Sequence, residues 1–200
     1  VRLVSALSKA LDDAELARDE LRHRVKNAYA AAQALASLTL PREQSMALNA
    51  RIAALARAHD LLDQKLAHQD EISVAELVHA ELAPYENEGT QRLKIDGPAV
   101  TLPSTKAIAL GLTINELATN ALKYGALSAS EGRVEVRWWR EHEALHLAWT
   151  EKDGPAVEAA AAENFGSRLM RRLVEGQLRG ILRREFEGDG VTCHIQIPIG

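Results

Sequence analysis

Two groups of residues in this chain have types and spacings suited to chemistry. The first is His23. It lies two residues from both Leu21 and Val25, so at about 100° per residue it points away from a helical apolar row of Leu21, Val25, Ala28, Ala32 and Leu35. Its neighbours three and four positions away are Asp19, Glu20, Lys26 and Asn27. An imidazole with a carboxylate on one side can have its tautomer fixed and its other nitrogen made more nucleophilic. Such a group suits attack on a phosphorus atom. Spacing alone fits an ordinary surface histidine on a charged helix better than it fits an acceptor. The second group is Glu116, Asn120 and Lys123, which share one face of a helix at four-three spacing. A carboxylate, an amide and an ammonium in line can hold a magnesium ion, orient a water and neutralise phosphate charge. A polar outer helix face carries the same spacing.

The elements that must position these groups follow from periodicity. Residues 3–38 contain no Pro or Gly and are rich in Ala, Leu, Glu and Arg, which favours one long helix. Thr39-Leu40-Pro41 interrupts it. A second helix over about residues 42–69 carries Leu48, Ile52, Leu55, His59, Leu62 and Leu66 at four-three spacing. His59 lies on that row and reads as a packed or interfacial histidine. Two helices joined by a short turn make an antiparallel hairpin, which leaves apolar surface wet and calls for a partner, most simply a second copy in a four-helix bundle.

Beyond residue 70 the texture changes. Ser73-Val74-Ala75-Glu76 reads as a capping box opening a helix that ends near Pro84. Strands are expected over 92–95, 100–102, 134–139, 145–149, 181–186 and 191–197. Ser104 is expected to cap a helix reaching about Lys123, and another helix is expected over 167–177. Helices interleaved with mostly hairpin-linked strands point to a two-layer α/β sandwich and not a doubly wound sheet.

Composition bounds the function. The chain has 200 residues, a net charge of -4 and one cysteine, Cys193. The charge balance gives no reason to expect nucleic-acid binding. One cysteine excludes a disulfide framework within the chain and a Cys-rich metal site. No apolar run is long enough to span a bilayer, and the expected setting is cytoplasmic, with no membrane contact from this segment. The first residue is Val1 and not Met, so the chain is expected to be a piece of a longer protein whose missing part carries a sensor or an anchor.

Specific motifs carry a family resemblance. Glu20-Leu21-Arg22-His23-Arg24-Val25-Lys26-Asn27 resembles the phosphoacceptor box of histidine kinases of the HWE and closely related second-type dimerisation families. Residues 51–62 resemble the family's second helix. Asn115-Glu116-Leu117-Ala118-Thr119-Asn120-Ala121-Leu122-Lys123-Tyr124-Gly125 resembles the N box of GHKL ATPases, and Trp149-Thr150-Glu151-Lys152-Asp153-Gly154-Pro155 resembles the W-x-E segment and first glycine box. The HWE family is partly named for a histidine that would stand at 115; this chain has Asn115, as the second-type family usually does.

The resemblance implies ATP and Mg²⁺ as cofactors and His23 as the phosphorylated residue. It implies Asn120 as the magnesium ligand and Glu116 beside the reacting phosphate, with a possible hold on the metal. Lys123 would contact phosphate and Tyr124 would line the pocket. Glu151, or more weakly Asp153, would bind the adenine amino group, with Gly154 turning the chain beside it. Residues 156–164 would form a lid, with Asn164 where the family usually has Gly and Ala162-Glu163 where it often has basic residues. Phe165, Gly166, Ser167 and Arg168 would follow, the helix start at Ser167 and the charge of Arg168 facing phosphate.

The expected fold class is therefore α+β: a helical hairpin for dimerisation and phosphotransfer, residues 1–69, and a GHKL (Bergerat) ATPase sandwich, residues 70–200. The resemblance implies an autophosphorylating protein-histidine kinase that passes its phosphoryl group to an aspartate on a response regulator receiver domain. The main alternative is a phosphotransfer or scaffold protein whose ATP pocket has decayed. A GHKL ATPase of the chaperone or topoisomerase type would leave the box around His23 unexplained.

Overall fold

The computed structural model describes residues 2–65, 71–86, 92–156, 165–188 and 190–199, with side chains placed at most of them. The expected lid at 156–164 therefore lies outside the described residues apart from Ala156, as do Leu66 of the second helical row and Asn164. Packing groups the chain into two units, Val1–Ala56 and Arg57–Gly200.

The first unit holds helix α1 (Arg2–Thr39) and the start of α2 (Arg42–Lys65). With no Gly or Pro to interrupt it, α1 runs for 38 residues, a length of about 57 Å at the helical rise. Pro41 ends the turn between the helices, and its carbonyl accepts the Ser45 N–H at 2.9 Å. The faces in contact are partly polar. Asn49 donates from Nδ2 to Ser37 Oγ at 3.0 Å, and Gln33 donates from Nε2 to the Asn49 carbonyl at 3.4 Å. Of the apolar row expected to pack, only Val25 is half-buried. Leu21, Ala28, Ala32 and Leu35 are exposed. The inward face of α1 is instead the neighbouring row of Arg22, Val25, Tyr29, Gln33 and Ala36.

The second unit is the sandwich. Strand β1 (Glu71–Ser73) leads into α3 (Val74–Leu82), and Ser73 caps that helix by accepting the Glu76 N–H. Then come β2 (Leu93–Asp96), β3 (Thr101–Pro103), α4 (Ser104–Lys123), β4 (Arg133–Glu141) and β5 (Ala144–Lys152). Helix α5 (Phe165–Arg171) continues as a π-helical turn over Arg172–Gln177, followed by β6 (Ile181–Glu187) and β7 (Gly190–Pro198). β1 pairs with β3, and the main sheet runs β2-β4-β5-β7-β6. Only β2 and β4 are parallel, since the crossover through β3 and α4 separates them.

Several expectations change in detail. Ser104 is the first residue of α4 and does not cap it; Pro103, extended at ψ 138°, holds the cap position and no side chain bonds there. α5 begins at Phe165, two residues before Ser167. β7, the last strand in sequence, lies inside the sheet between β5 and β6. Leu122, on the outer side of α4, is exposed.

Alternation along the strands sends Val134, Val136, Trp138, Leu145, Leu147, Trp149, Cys193, Ile195 and Ile197 into the core. There they meet Leu110, Ile114, Leu117 and Ala121 of α4 and Leu77, Val78 and Leu82 of α3. The end of α2 joins this core through Ala58, Leu61 and Leu62. Arg57 of α2 also reaches the fully buried Glu81 of α3, donating from Nη2 at 2.7 Å and from Nε at 3.1 Å. The opposite face of the sheet is mostly polar, and on it Trp139 stacks on His146 and His194.

Candidate active site

His23 is exposed on α1, as its spacing predicted, and Asn27 is exposed one turn later. The two nearby carboxylates are engaged elsewhere. Glu20 accepts from Arg24 Nη2 at 2.5 Å, and Asp19 accepts from Arg22 Nη1 at 3.1 Å. Neither rests on the imidazole. Exposed ion pairs of this kind are worth about 0–1 kcal/mol, so either carboxylate can exchange its arginine for the histidine at little cost.

In the sandwich, the polar row on α4 is graded by depth. Glu116 is buried, Asn120 is half-buried, and Lys123 and Tyr124 are exposed at the end of the helix. Asn115 is buried and donates from Nδ2 to the Tyr85 hydroxyl at 3.1 Å, while Tyr85 is also 3.1 Å from the Thr119 hydroxyl. Thus position 115 anchors α4 to the turn after α3.

The end of α4 and the Trp149–Pro155 segment meet at Glu151. Its Oε2 accepts the Ala126 backbone N–H at 2.8 Å, and its Oε1 accepts from Trp149 Nε1 at 3.1 Å. Alternation places Trp149 and Glu151 on the same face of β5, which is why the ring can reach the carboxylate. A Cβ on Gly125 would fall 2.0 Å from Glu151 Oε2, so only glycine allows this approach. Glu151 is 6% exposed. Burial raises its pKa, and the Ala126 and Trp149 N–H groups and Arg184 pull the other way. Each oxygen therefore holds a protein N–H, because the loop after α4 folds directly over the strand end.

Asp153 is exposed and accepts from Arg133 Nε at 2.6 Å. Its φ of 56° lies in the left-handed region, where Asp is tolerated better than most residues with a Cβ. Gly154 follows, half-buried. Phe165, Gly166, Ser167 and Arg168 form the first turn of α5; Gly166 is buried, Phe165 and Arg168 are exposed, and Ser167 Oγ accepts from Arg184 Nη1 at 2.8 Å. α5 and its π-helical continuation pack against α4. All three nucleotide-binding motifs expected from the sequence therefore belong to one unit. His23 belongs to the other.

Sequence reasoning missed Arg92, Ala126, Arg133 and Arg184 as partners of this region. The spacing of Trp149 and Glu151 was the one available signal for their pairing. Contacts such as Arg184 with Ser167 join distant segments, and no local pattern announces them.

Residues 20–99 match the model of the HWE histidine kinase family. The chain is 36% identical over 188 residues to blue-light-activated histidine kinase 1 of Erythrobacter litoralis, covering 90% of this chain and 52% of that protein. Over residues 20–99 the chain matches the HWE histidine kinases. It is also 33% identical over 205 residues to the blue-light-activated histidine kinase of Brucella anthropi, covering 98% of this chain and 41% of that protein. The chain thus spans about half the length, or less, of these curated relatives. Among solved structures, the histidine kinase domain of the Erythrobacter litoralis blue-light-activated enzyme superposes with a TM-score of 0.64 at 24% identity, over 91% of this chain and 90% of that one. The histidine kinase ThkA, solved with the response regulator protein TrrA, superposes with a TM-score of 0.53 at 13% identity, over 90% of this chain and 60% of that one. These likenesses establish the fold: a helical hairpin followed by a mixed α/β sandwich. The matched residues favour the HWE family of the two, and Asn115 lies outside them.

The likeness to HWE histidine kinases implies ATP. The donors fit a magnesium ion carried with it. No cluster of three or more His, Cys, Asp or Glu side chains able to hold a metal occurs among the described residues, and Mg²⁺ bound mainly through phosphate oxygens and water needs only one or two protein oxygens. Asn120 and Glu116, one turn apart on α4, offer such oxygens. Among the described residues, no helix is long and apolar enough to cross a membrane.

Proposed function

We propose that this chain is the catalytic core of a sensor histidine kinase. It phosphorylates His23 from ATP and passes the phosphoryl group to an aspartate of a response regulator. The observation that carries the reading is the exposed His23 on α1 within the family-matched residues. In the reaction, the lone pair of one His23 ring nitrogen attacks the γ-phosphorus in line. A nitrogen–phosphorus bond forms as the bond to the β,γ-bridging oxygen breaks, and ADP leaves. The proton on the other ring nitrogen passes to Glu20 or Asp19, once either has released its arginine, or to water. Magnesium on Asn120, with Glu116 beside it, would neutralise phosphate charge. Lys123 and Arg168 would add positive charge, and Tyr124, Gly154 and Phe165 would border the nucleotide. Glu151 holds one protein N–H on each oxygen and, as a carboxylate with about four acceptor sites, would accept the adenine amino group as well, with Asp153, itself paired with Arg133, the weaker candidate.

The partner's receiver domain would dock on the hairpin around His23, because its aspartate must reach the phosphorylated nitrogen. The exposed row Leu21, Ala28, Ala32 and Leu35 supports a homodimer through the hairpin. The functional division would fall near residues 69 and 70, with the hairpin as phosphotransfer domain and the remainder as ATP-binding domain.

Incubation with γ-labelled ATP and Mg²⁺ tests the reading. The expected product is an acid-labile, base-stable label that His23→Gln abolishes while nucleotide affinity stays within about twofold. Asn120→Asp is expected to abolish both labelling and magnesium-dependent nucleotide binding. Label surviving in His23→Gln would refute the acceptor assignment. The departures at Ala162, Glu163 and Asn164 favour the rival reading of a decayed pocket, and the presence of Asn120, Glu151 and Gly166 speaks against it. ATP affinity that is unmeasurable with or without magnesium would establish that rival.

A further inference from the structure

Arg92 stands immediately before β2 and belongs to none of the motifs above. Its guanidinium donates from Nε to the Gly132 carbonyl at 2.8 Å and from Nη2 to the Ala126 carbonyl at 3.1 Å. Nη2 also donates to the Ala129 carbonyl. Its own carbonyl accepts the Val134 N–H at 2.8 Å, which fixes its backbone to the start of β4. One half-buried side chain therefore gathers three carbonyls from the turn that follows α4. That turn closes tightly on itself, since a Cβ on Gly132 would stand 1.8 Å from the Ala126 carbonyl oxygen.

The Ala126 residue is gripped from two sides. Arg92 holds its carbonyl, and Glu151 accepts its N–H. Just before it, the Tyr124 and Gly125 N–H groups both donate to the Asn120 carbonyl, at 2.8 and 3.1 Å, so the turn is also tied to the last turn of α4. A shift of residues 125–132 would accordingly move both the end of α4, with Asn120, Lys123 and Tyr124, and the Glu151 end of β5.

We propose that Arg92 is a positioning residue for the nucleotide pocket: by holding the 125–132 turn it fixes two walls of that pocket at once. The inference rests on the nucleotide-binding reading above. Arginine suits the task because its planar fork presents five N–H donors, and hydrogen bonds from a charged donor are stronger than neutral ones. Lysine has a point charge and no planar fork, and it cannot reproduce the three-carbonyl geometry.

The mechanism sets which constant moves. Without Arg92 the turn samples other arrangements, and nucleotide binds only the fraction with both walls in place. The apparent Kd rises by the inverse of that fraction, while the bound complex reacts as before. Arg92→Gln is expected to raise the Kd for Mg-ATP about tenfold or more. The labelling rate of His23 at saturating ATP is expected to stay within about threefold of the parent. Arg92→Lys is expected to fall between the two. Ile197→Ala, a core truncation at the opposite end of the sheet from Glu151, controls for loss of stability alone: it should lower Tm and leave Kd unchanged.

Nucleotide affinity in Arg92→Gln equal to the parent's would overturn the inference, as would an equal rise in Kd in Ile197→Ala at matched Tm loss. If Arg92→Gln does not fold, Arg92→Lys decides by the same Kd comparison, an unchanged value again overturning it. A parent protein that binds no nucleotide at all would instead remove the reading on which the inference stands.

Discussion

The Glu81 carboxyl is buried on α3, with Oε2 held by Arg57 and Oε1 lacking a hydrogen-bond partner beside Gly111. Burial raises its pKa from 4.5 to about 7, against the pull of Arg57. The native protein therefore keeps a proton there that the unfolded chain sheds between 4.5 and about 7. This contribution to stability is fully present below 4.5 and is lost as pH rises through about 7. It is at most about 3 kcal/mol over that window. Glu81→Gln preserves the shape and cannot titrate, so the difference in stability between the two proteins should change with pH. Denaturant unfolding of both at about pH 5 and pH 8 measures this; parallel curves would show that Glu81 is ionised throughout. Glu151, also raised by burial, adds a slope of the same sign that Glu81→Gln leaves in place. Trp149→Phe keeps an aromatic ring in the core and removes the indole N–H from Glu151, and should cost about 1 kcal/mol in the same measurement.

At the scale of elements, the turn after α4 is the most constrained piece of the sandwich. Gly132→Ala would force its Cβ onto the Ala126 carbonyl and should destabilise by about 1–3 kcal/mol, read as a lowered Tm. The sequence made most of the surrounding elements legible. Uninterrupted helix formers marked α1, Ser73 and Glu76 marked the start of α3, and alternation marked β4 and β5. What remained hidden depends on neighbours far along the chain. The position of β7 between β5 and β6 follows from pairing order, which alternation within one strand does not encode. Ser104 looked like a cap, yet the fixed φ of Pro103 placed the helix boundary one residue earlier. The site was legible in its motifs and less so in its geometry. The residues gathered around Glu151 came from the right segments, but its burial depends on the fold of residues 125–132, which Arg92 holds from its place just before β2. On α1, the apolar row was correctly identified as helical; its orientation was set by the polar contacts among Gln33, Ser37 and Asn49.

For the whole molecule, the exposed row on α1 has a consequence for association. Leu21 and Leu35 are each 62% exposed, and Leu38 is 85% exposed. A second copy covering this row would bury it, whereas charge placed there would oppose association. The parent protein is expected to behave as a dimer in light scattering coupled to size exclusion, and Leu21→Glu combined with Leu35→Glu as a monomer that still binds nucleotide. Equal masses for the two proteins would show that the row serves something other than self-association.

The central position of β7 has one more use. Cys193 sits on it fully buried, with its thiol pushed up to about 11 by burial. Thiol reagents act on the exposed thiolate, so native Cys193 should resist maleimide until the strands on either side of it separate. The speed of its modification then becomes a clock for opening of the sheet. A cysteine introduced at an exposed position of α1 could meanwhile carry a spectroscopic probe without first replacing the native one.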